Sequence, residues 1–372
     1  MSSGSERNKV CWCGSGKKFK RCHLLLEEAD RLRADELEGR MRKKTQRRTC
    51  MCPPSMLSEC SGSIVSAHTI SRSASLNALA VDGHIYAYNV SLSSLHRSGG
   101  RIVPERMGVR KVSTFNGFCS YHDTKLFRVL DVVEDHTSPE FLGKMCFRSV
   151  SKELFLKRNL QDDEHDIRAA EMGRDVGFQQ FIRLFMGAKN VGMQAAVKEL
   201  EVVKSRFDEM IERGCYDDAV HVVAQLKGKV PVLVSSLFQP ERTASGKKIQ
   251  DISDLSVLAQ NVLLTSFPVG ENSCVALSFL KDAHLAREFV ESVVALGPNE
   301  MIGYFIGLAF EVAENLAISP DWWSALSETW RNTLIEAGNR GVLVSQSSET
   351  EPLKCTLLPL PTTVDEVIWV NA

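Results

Sequence analysis

Four metal-ligand side chains fall within thirteen residues near the start of this chain, and they constrain its folding more than any other feature. The stretch CWCGSGKKFKRCH supplies Cys11, Cys13, Cys22 and His23. Thiolate sulfur and neutral imidazole are the preferred ligands of structural zinc, which takes four of them in a tetrahedron. The Gly-Ser-Gly sequence at 14–16 allows the tight turn that a loop needs to close on an ion. The sequence therefore predicts a structural zinc site at residues 11–23.

A disulfide pair is the alternative for these cysteines. The chain has 11 cysteines, an odd number, and its first residues, MSSGSERNK, contain no apolar core of a secretory signal. Both observations favour metal binding in a reducing compartment. We therefore expect a cytoplasmic protein in which the cysteines that bind no metal are small buried hydrophobic residues.

The pattern C-x-C-G-S-G-K-K-F-K-x-C-H resembles the SEC-C zinc motif, which ends the bacterial preprotein translocase motor and is appended to many other proteins. The resemblance covers residues 11–23 and places the three cysteines and the histidine on the ligand positions, and Lys17, Lys18 and Lys20 on the basic stretch. Trp12 stands where the motif often has proline, and Leu24 where it often has glycine. The resemblance implies a bacterial protein with a zinc module that docks on a partner.

Positive charge is concentrated at the beginning of the chain. Residues 1–50 contain 14 Lys and Arg against 7 Asp and Glu, whereas the whole chain has 45 against 46. The excess lies in KKFKR at 17–21 and RMRKKTQRR at 40–48, which flank a predicted helix over 24–44 with apolar residues at helical spacing. Such clusters are typical of surfaces that bind the phosphates of DNA or RNA. A solvated linker helix is the alternative.

A second set of ligand-type residues follows the basic run in two pieces. Residues 49–73 supply Cys50, Cys52, Cys60 and His68, and residues 113–127 supply Cys119, His122 and Asp123. Cys119 and His122 lie three positions apart at a predicted helix start, so both can face one ion. Cys50 and Cys60 are their predicted partners in a second structural zinc site, and Cys52 competes with Cys50 on equal chemical terms. Buried thiols with ordinary surface histidines are the alternative.

Residues 49–130 loosely resemble the treble-clef HNH endonucleases, in which a cysteine knuckle precedes a strand that ends in a catalytic histidine. The resemblance implies that His68 is the general base, Asn116 the middle asparagine and Asp123 a ligand of the catalytic metal. It also places Cys50 and Cys60 on the first knuckle and Cys119 and His122 on the second. Magnesium or manganese at Asp123 would polarise a phosphodiester while neutral His68 activates water. This chain differs from the family in the long gap that follows His68.

The sequence from residue 145 onward predicts a mixed α/β domain. Helical periodicity marks 144–160, 178–187, 195–214, 283–296, 301–316 and 320–338, and strands are predicted over 230–238, 261–268 and 274–280, with extended chain at 341–348 and 366–372. A further strand is predicted at 82–92, entered through an Asp-Gly turn. No phosphate-binding glycine loop, G-x-S-x-G elbow or H-E-x-x-H motif is present. The longest nearly apolar run, 301–313, is shorter than the roughly 20 residues of a membrane span, so no membrane segment is expected.

Together these patterns predict an α+β, mixed α/β multidomain protein. Its expected parts are a SEC-C zinc knuckle at 1–25, a basic helical linker at 26–48, an HNH-like treble-clef zinc domain at 49–144 and an α/β domain of unknown role at 145–372. About two structural zinc ions are expected, with magnesium or manganese added if the chain is a nuclease. The leading functional hypothesis is interaction with nucleic acid, DNA or RNA, with HNH-like cleavage. The alternative is a non-enzymatic zinc adaptor that docks on another protein through its SEC-C module.

Overall fold

The computed structural model describes residues 6–132, 135–340 and 358–372. The chain folds into two compact units. Unit 1 takes in Met1–Arg47, Ser91–Ser93 and Leu156–Lys198, and unit 2 takes in Arg48–Val90, Ser94–Phe155 and Glu199–Ala372. The predicted mixture of helix and sheet is confirmed. The division into four segments stays a prediction.

The secondary-structure elements are numbered in chain order. The helices are α1 His23–Glu27, α2 Ala34–Thr45, α3 Asn77–Leu79, α4 Leu92–Arg97, α5 Ser120–Phe127, α6 Val129–Val132, α7 Pro139–Asn159, α8 Glu164–Glu171, α9 Val176–Arg213, α10 His284–Val294, α11 Pro298–Val312, α12 Pro320–Ala325 and α13 Glu328–Arg340. The strands are β1 Ile64–His68, β2 His84–Tyr88, β3 Pro104–Gly108, β4 Thr114–Cys119, β5 Ala219–Lys227, β6 Val232–Phe238, β7 Val262–Val269, β8 Asn272–Leu280, β9 Leu316–Ile318 and β10 Thr363–Val370.

In unit 1 the predicted helix over 24–44 is wrong as a single element, because α1 ends at Glu27 and α2 begins at Ala34. Gly173 explains the break. Its backbone N–H donates to the carbonyl of Leu26 at 2.8 Å, and a Cβ at this position would lie 2.7 Å from the backbone nitrogen of Arg31. The chain therefore leaves the helix to pack closely against this glycine, whose φ of +66° disfavours other residues.

Unit 2 is built on an eight-stranded antiparallel sheet in the order β10-β5-β8-β7-β6-β9-β2-β3. Nearly every residue of β5 to β8 is buried, which identifies strands covered on both faces. Val222 belongs to the core that α10 and α11 complete, whereas its neighbour Val223 packs with Phe141 and Leu142 of α7. The three strands predicted over 230–280 are confirmed.

Several boundaries predicted in the second half of the chain are wrong. Helices 178–187 and 195–214 are one continuous element, α9, because two interior glycines cost only about 1 kcal/mol each and no proline interrupts the run. The predicted helix 301–316 ends at Val312, since Leu316–Ile318 forms β9, and helix 320–338 is divided at the buried Leu326. β5 was not predicted. The predicted extended stretch 341–348 lies outside the described residues.

A small two-stranded sheet in unit 2 positions the second ligand cluster. β1 pairs antiparallel with β4, so that Ile64 faces Cys119 and His68 faces Thr114. α5 follows β4 without a loop. The residues between β1 and β4 include β2 and β3, which lie at the edge of the large sheet. The long gap after His68 is therefore an excursion of the chain into the neighbouring sheet.

Candidate metal centres

The first cluster brings the four predicted ligands of residues 11–23 together. The Nδ1 atom of His23 lies 3.1 Å from the sulfur of Cys11 and 3.4 Å from that of Cys22, and the sulfurs of Cys13 and Cys22 are 3.7 Å apart. All four ligand atoms lie within 4.8 Å of one another. A tetrahedral zinc with bonds of about 2.3 Å to sulfur and 2.0 Å to nitrogen requires edges of about 3.5–3.8 Å. The first cluster therefore has the size and chemistry of a zinc site.

Local backbone hydrogen bonds build this centre. The N–H of Cys11 donates to the carbonyl of Lys17 at 2.8 Å, and the N–H of Phe19 donates to that of Lys9 at 2.9 Å. Gly14 and Gly16 turn the intervening chain with φ of +76° and +71°, a region that glycine enters at no steric cost. His23 then opens α1, so the loop and the helix start hold the ligands around one point.

Glu171 supports His23 from α8, and nothing in the local sequence indicated it. The Nε2–H of His23 donates to Oε2 of Glu171 at 3.1 Å, and both side chains are fully buried. Arg183 donates to both carboxylate oxygens, at 2.9 Å to Oε1 and 3.0 Å to Oε2. A carboxylate behind a metal-binding histidine fixes the tautomer and raises the basicity of the ligand nitrogen. The carboxylate thus leaves Nδ1 free to face the three sulfurs.

Three further side chains contact the ligands of the first centre: Ser15 and Arg168 at the Cys22 sulfur, and Trp12 at His23. Burial raises the pKa of the Cys22 thiol, but hydrogen bonds from Ser15 and Arg168 outweigh it and hold that pKa at about 6. The guanidinium of Arg168 lies 3.2 Å from the sulfur. The Trp12 ring packs over His23 with centroids 4.3 Å apart, which gives a packing role to the residue that replaces the motif's proline. Cys22 thus favours the thiolate, the form that zinc binds.

The second cluster contains Cys50, Cys60, Cys119 and His122, whose ligand atoms also lie within 4.8 Å of one another. The Nδ1 atom of His122 is 3.5 Å from the sulfurs of Cys50 and Cys60 and 3.3 Å from that of Cys119. These are the edges of a zinc tetrahedron. The Nε2 atom of His122 is buried and has no hydrogen-bond partner among the described residues. A metal bond at Nδ1 would offset the cost of burying this ring.

The start of α5 explains how this cluster assembles. The segment 49–51 runs beside β4, because the N–H of Thr49 donates to Asn116 at 3.2 Å and that of Met51 to Gly117 at 2.7 Å. Cys50 therefore reaches Cys119, whose N–H donates to the Cys50 sulfur at 3.4 Å. Burial raises the pKa of Cys119, but hydrogen bonds, first of all from the backbone N–H of His122, hold it at about 6. A thiolate is favoured at a helix N-terminus.

Cys52 lies beside this cluster but outside its four-atom set. Its sulfur is 3.8 Å from that of Cys60, and the residue is buried. Burial, together with the neighbouring Cys50, raises the pKa of the Cys52 thiol. The geometry accordingly groups Cys50, rather than its competitor Cys52, with the other three ligands.

The three predicted catalytic residues belong to neither ligand set. His68 ends β1 with its imidazole half-buried and Nε2 3.4 Å from the carbonyl of Val109, and burial lowers its pKa. Asn116 lies in the middle of β4. Asp123 lies in the first turn of α5, where its carboxylate accepts a 2.9 Å hydrogen bond from Arg148.

The surroundings of Asp123 do not fit magnesium or manganese. Arg148 is almost completely buried, with its guanidinium 4.4 Å from the centre of the Phe127 ring, so Asp123 compensates a charge that has little access to water. Burial is the main cause of the lowered pKa of His68; Arg72 and Arg148 lower this pKa further, whereas Asp123 acts in the opposite direction. A divalent cation there would have to displace or oppose these arginines.

A family model for the SEC-C motif matches residues 7–25, which span the first centre. The SEC-C resemblance predicted from residues 11–23 is thus confirmed, and together with the two clusters it indicates that the chain binds metal, for which zinc fits both sites. Comparison with curated proteins and with solved structures gave no match. In the described part of the chain no helix is long and apolar enough to cross a membrane. The HNH resemblance stays a prediction.

Proposed function

We propose that this protein holds two structural zinc ions and binds nucleic acid through the cationic surface of unit 1, without cleaving it. The zinc part of the proposal is supported by two Cys3His clusters of tetrahedral size, each with a fully buried histidine. Zinc with four protein ligands stabilises a fold and leaves no open position for chemistry, because catalytic zinc keeps one position for water or substrate.

One observation carries the nucleic-acid part. Six exposed cations of the knuckle, of α2 and of the segment that follows α2 make no ion pair with any described residue of the chain: Lys17, Lys18, Arg21, Arg42, Lys43 and Arg47. Lys44 differs, since it pairs with Asp162 at 3.0 Å and with Asp166 and is mostly buried. Unpaired cations on an ordered surface keep their full charge for phosphates, whose condensed counterions they release on binding.

The environment of His68 and Asp123 supports binding without cleavage. Cleavage by the HNH route needs a free carboxylate for the catalytic metal, whereas Asp123 is paired with a nearly buried arginine. Arg72, which is exposed near His68, would still attract phosphate. The β1–β4–α5 arrangement then serves as a zinc-stabilised scaffold.

Salt-dependent binding tests the proposal. Fluorescence anisotropy with labelled single-stranded RNA and duplex DNA should show affinity that falls steeply with salt, with a log–log slope of about 0.7–0.9 per phosphate contact. The triple variant Arg42→Gln, Lys43→Gln, Arg47→Gln should weaken binding and reduce the slope by about 2–3. The matched control removes the same charge at Lys227, Lys247 and Lys248, which are paired with Asp365, Glu288 and Asp251.

If the two triple variants weaken nucleic-acid binding equally, the basic segment acts only through the net charge of the protein and is not the binding surface. Salt-independent binding, or none, would contradict the proposal and favour the alternative, a non-enzymatic adaptor that docks on another protein through the SEC-C module. Cleavage of either nucleic acid in magnesium or manganese, lost on His68→Ala with binding retained, would instead establish the HNH-like activity.

A further inference from the structure

Helix α9 exposes a continuous apolar face in the segment that belongs to unit 1, residues 176–198. Five large side chains on it are exposed by about half or more: Phe178 41%, Phe181 58%, Leu184 75%, Phe185 60% and Val191 55%. Phe181 stacks on Phe185 with centroids 6.1 Å apart. Together these side chains expose about 500 Å² of apolar surface, given about 200 Å² for a whole aromatic side chain. A patch of this size on a single chain marks an interaction surface.

The face has the spacing of a coiled-coil seam and a gradient of side-chain size. The seam positions follow intervals of 3, 4, 3, 4 and 3 residues: Phe178, Phe181, Phe185, Ala188, Gly192 and Ala195. The first three are aromatic and the last three are small. No seam position is itself charged, and the guanidinium of Arg174, 4.7 Å from the centre of the Phe178 ring, meets the seam at its first position.

The polar side chains next to the seam are already engaged within unit 1. Arg183 is bound to Glu164 and Glu171, and Lys189 pairs with Asp162 at 2.7 Å. These contacts turn both cations away from the seam. The five large side chains of the apolar face therefore remain exposed over about four turns of helix, from Phe178 to Val191.

We propose that this seam binds the same seam of a second copy of the chain, with the two helices antiparallel. The two-fold axis would pass between Met186 and Gly187. Each layer then sets one aromatic ring of the first copy against one small residue of the second: Phe178 on Ala195, Phe181 on Gly192 and Phe185 on Ala188. An antiparallel pair buries the seam completely because large and small residues meet in every layer.

The size gradient selects this arrangement over others. A parallel pair would place three aromatic rings against their own copies and leave a gap where glycine meets glycine. The exposed area, about 500 Å² per copy from five side chains, is a large part of the roughly 800 Å² that each partner buries in a stable complex. A self-complementary surface is also what a two-fold dimer requires.

Gly192→Leu tests the register. A Cβ on Gly192 meets nothing within 4 Å in the single chain, and leucine is the better helix former, so this variant should fold. In the dimer its side chain collides with Phe181 of the second copy. Sedimentation equilibrium should show wild type at twice the 41.4 kDa of the chain and Gly192→Leu with at least tenfold weaker association. The control Gln194→Leu adds the same side chain at an exposed position off the seam and should dimerise like wild type.

A size swap completes the test. Phe181→Ala with Gly192→Phe exchanges the large and small members of one layer and should restore the dimer that Gly192→Leu loses. Circular dichroism confirms that each variant is folded. If wild type is monomeric, the apolar face does not bind a second copy of the chain, and the proposal is overturned. So would a Gly192→Leu variant that associates as tightly as wild type, since apolar contact without this register would then be sufficient.

Discussion

Substitution of Glu171 measures how far a carboxylate outside the ligand set controls the first zinc centre. In the native structure its two oxygens accept three hydrogen bonds, one from His23 and two from Arg183, with no access to water. In Glu171→Gln the amide offers one accepting oxygen. If that oxygen accepts from His23 and from Nη2 of Arg183, the amide nitrogen must face Nε of Arg183. Both of those nitrogens are donors, so the hydrogen bond to Nε is lost. The variant keeps the bond to His23 but loses the negative charge behind it.

The magnitude follows from what each variant retains. Loss of an outer carboxylate typically weakens metal binding 10- to 100-fold, about 1.4–2.7 kcal/mol. Glu171→Gln keeps the hydrogen bond to His23 and should weaken zinc binding about tenfold. Glu171→Ala leaves Nε2 of His23 without a partner and should weaken zinc binding about 100-fold. Asp162→Asn is the matched control, because Asp162 also accepts from two cations of unit 1, Lys44 at 3.0 Å and Lys189 at 2.7 Å, but contacts none of the four ligands.

The assay is stepwise zinc transfer to a chromophoric chelator, with zinc per chain counted by mass spectrometry. Wild type should release two zinc ions in two steps. In both Glu171 variants the step of the first centre should move to lower chelator concentration, while the step of the second centre should not move. The whole curve of the control Asp162→Asn should match that of wild type. An unchanged first step in Glu171→Ala, or an equal shift of both steps, would refute the argument that this carboxylate acts through His23.

Three further predictions follow from the same geometry. Cys22→Ser and Cys119→Ser should each remove one of about two zinc ions per chain, counted by mass spectrometry after gel filtration. Intact sites of this type bind zinc with about 10–16 kcal/mol and therefore survive purification. A variant that keeps both ions would contradict the site assigned to its cysteine. His68→Ala should leave zinc content and nucleic-acid affinity unchanged, since its imidazole belongs to neither ligand set; loss of an ion would make His68 a ligand. Asp123→Ala should destabilise unit 2 by about 2–3 kcal/mol in urea unfolding, because it leaves the nearly buried Arg148 unpaired; an unchanged midpoint would show that this pair is not structural.

Short-range spacing was sufficient to predict which residues form the first Cys/His cluster. Three cysteines and a histidine within thirteen residues, with glycines between them, can meet around one ion whatever the remainder of the chain does. Cys119 and His122 could likewise be paired, because residues three apart at a helix start face the same side. The strands between residues 230 and 280 could also be predicted from the sequence, because short apolar runs bounded by turn residues are typical of buried strands.

Other features depend on contacts between residues far apart in sequence. The break between α1 and α2 arises where Gly173 meets Arg31, and the support of His23 comes from Glu171, 148 positions away. Cys50 joins the second cluster because residues 49–51 run beside β4. The sequence could not show this, since Cys50 and Cys52 are chemically equal candidates. The HNH resemblance implied that Asp123 binds a metal ion, and only the tertiary structure placed Arg148 of α7 at 2.9 Å from its carboxylate. Covalent spacing decides which groups can meet within one loop or helix turn, whereas the packing of whole elements decides which charges are compensated and which ligands are supported.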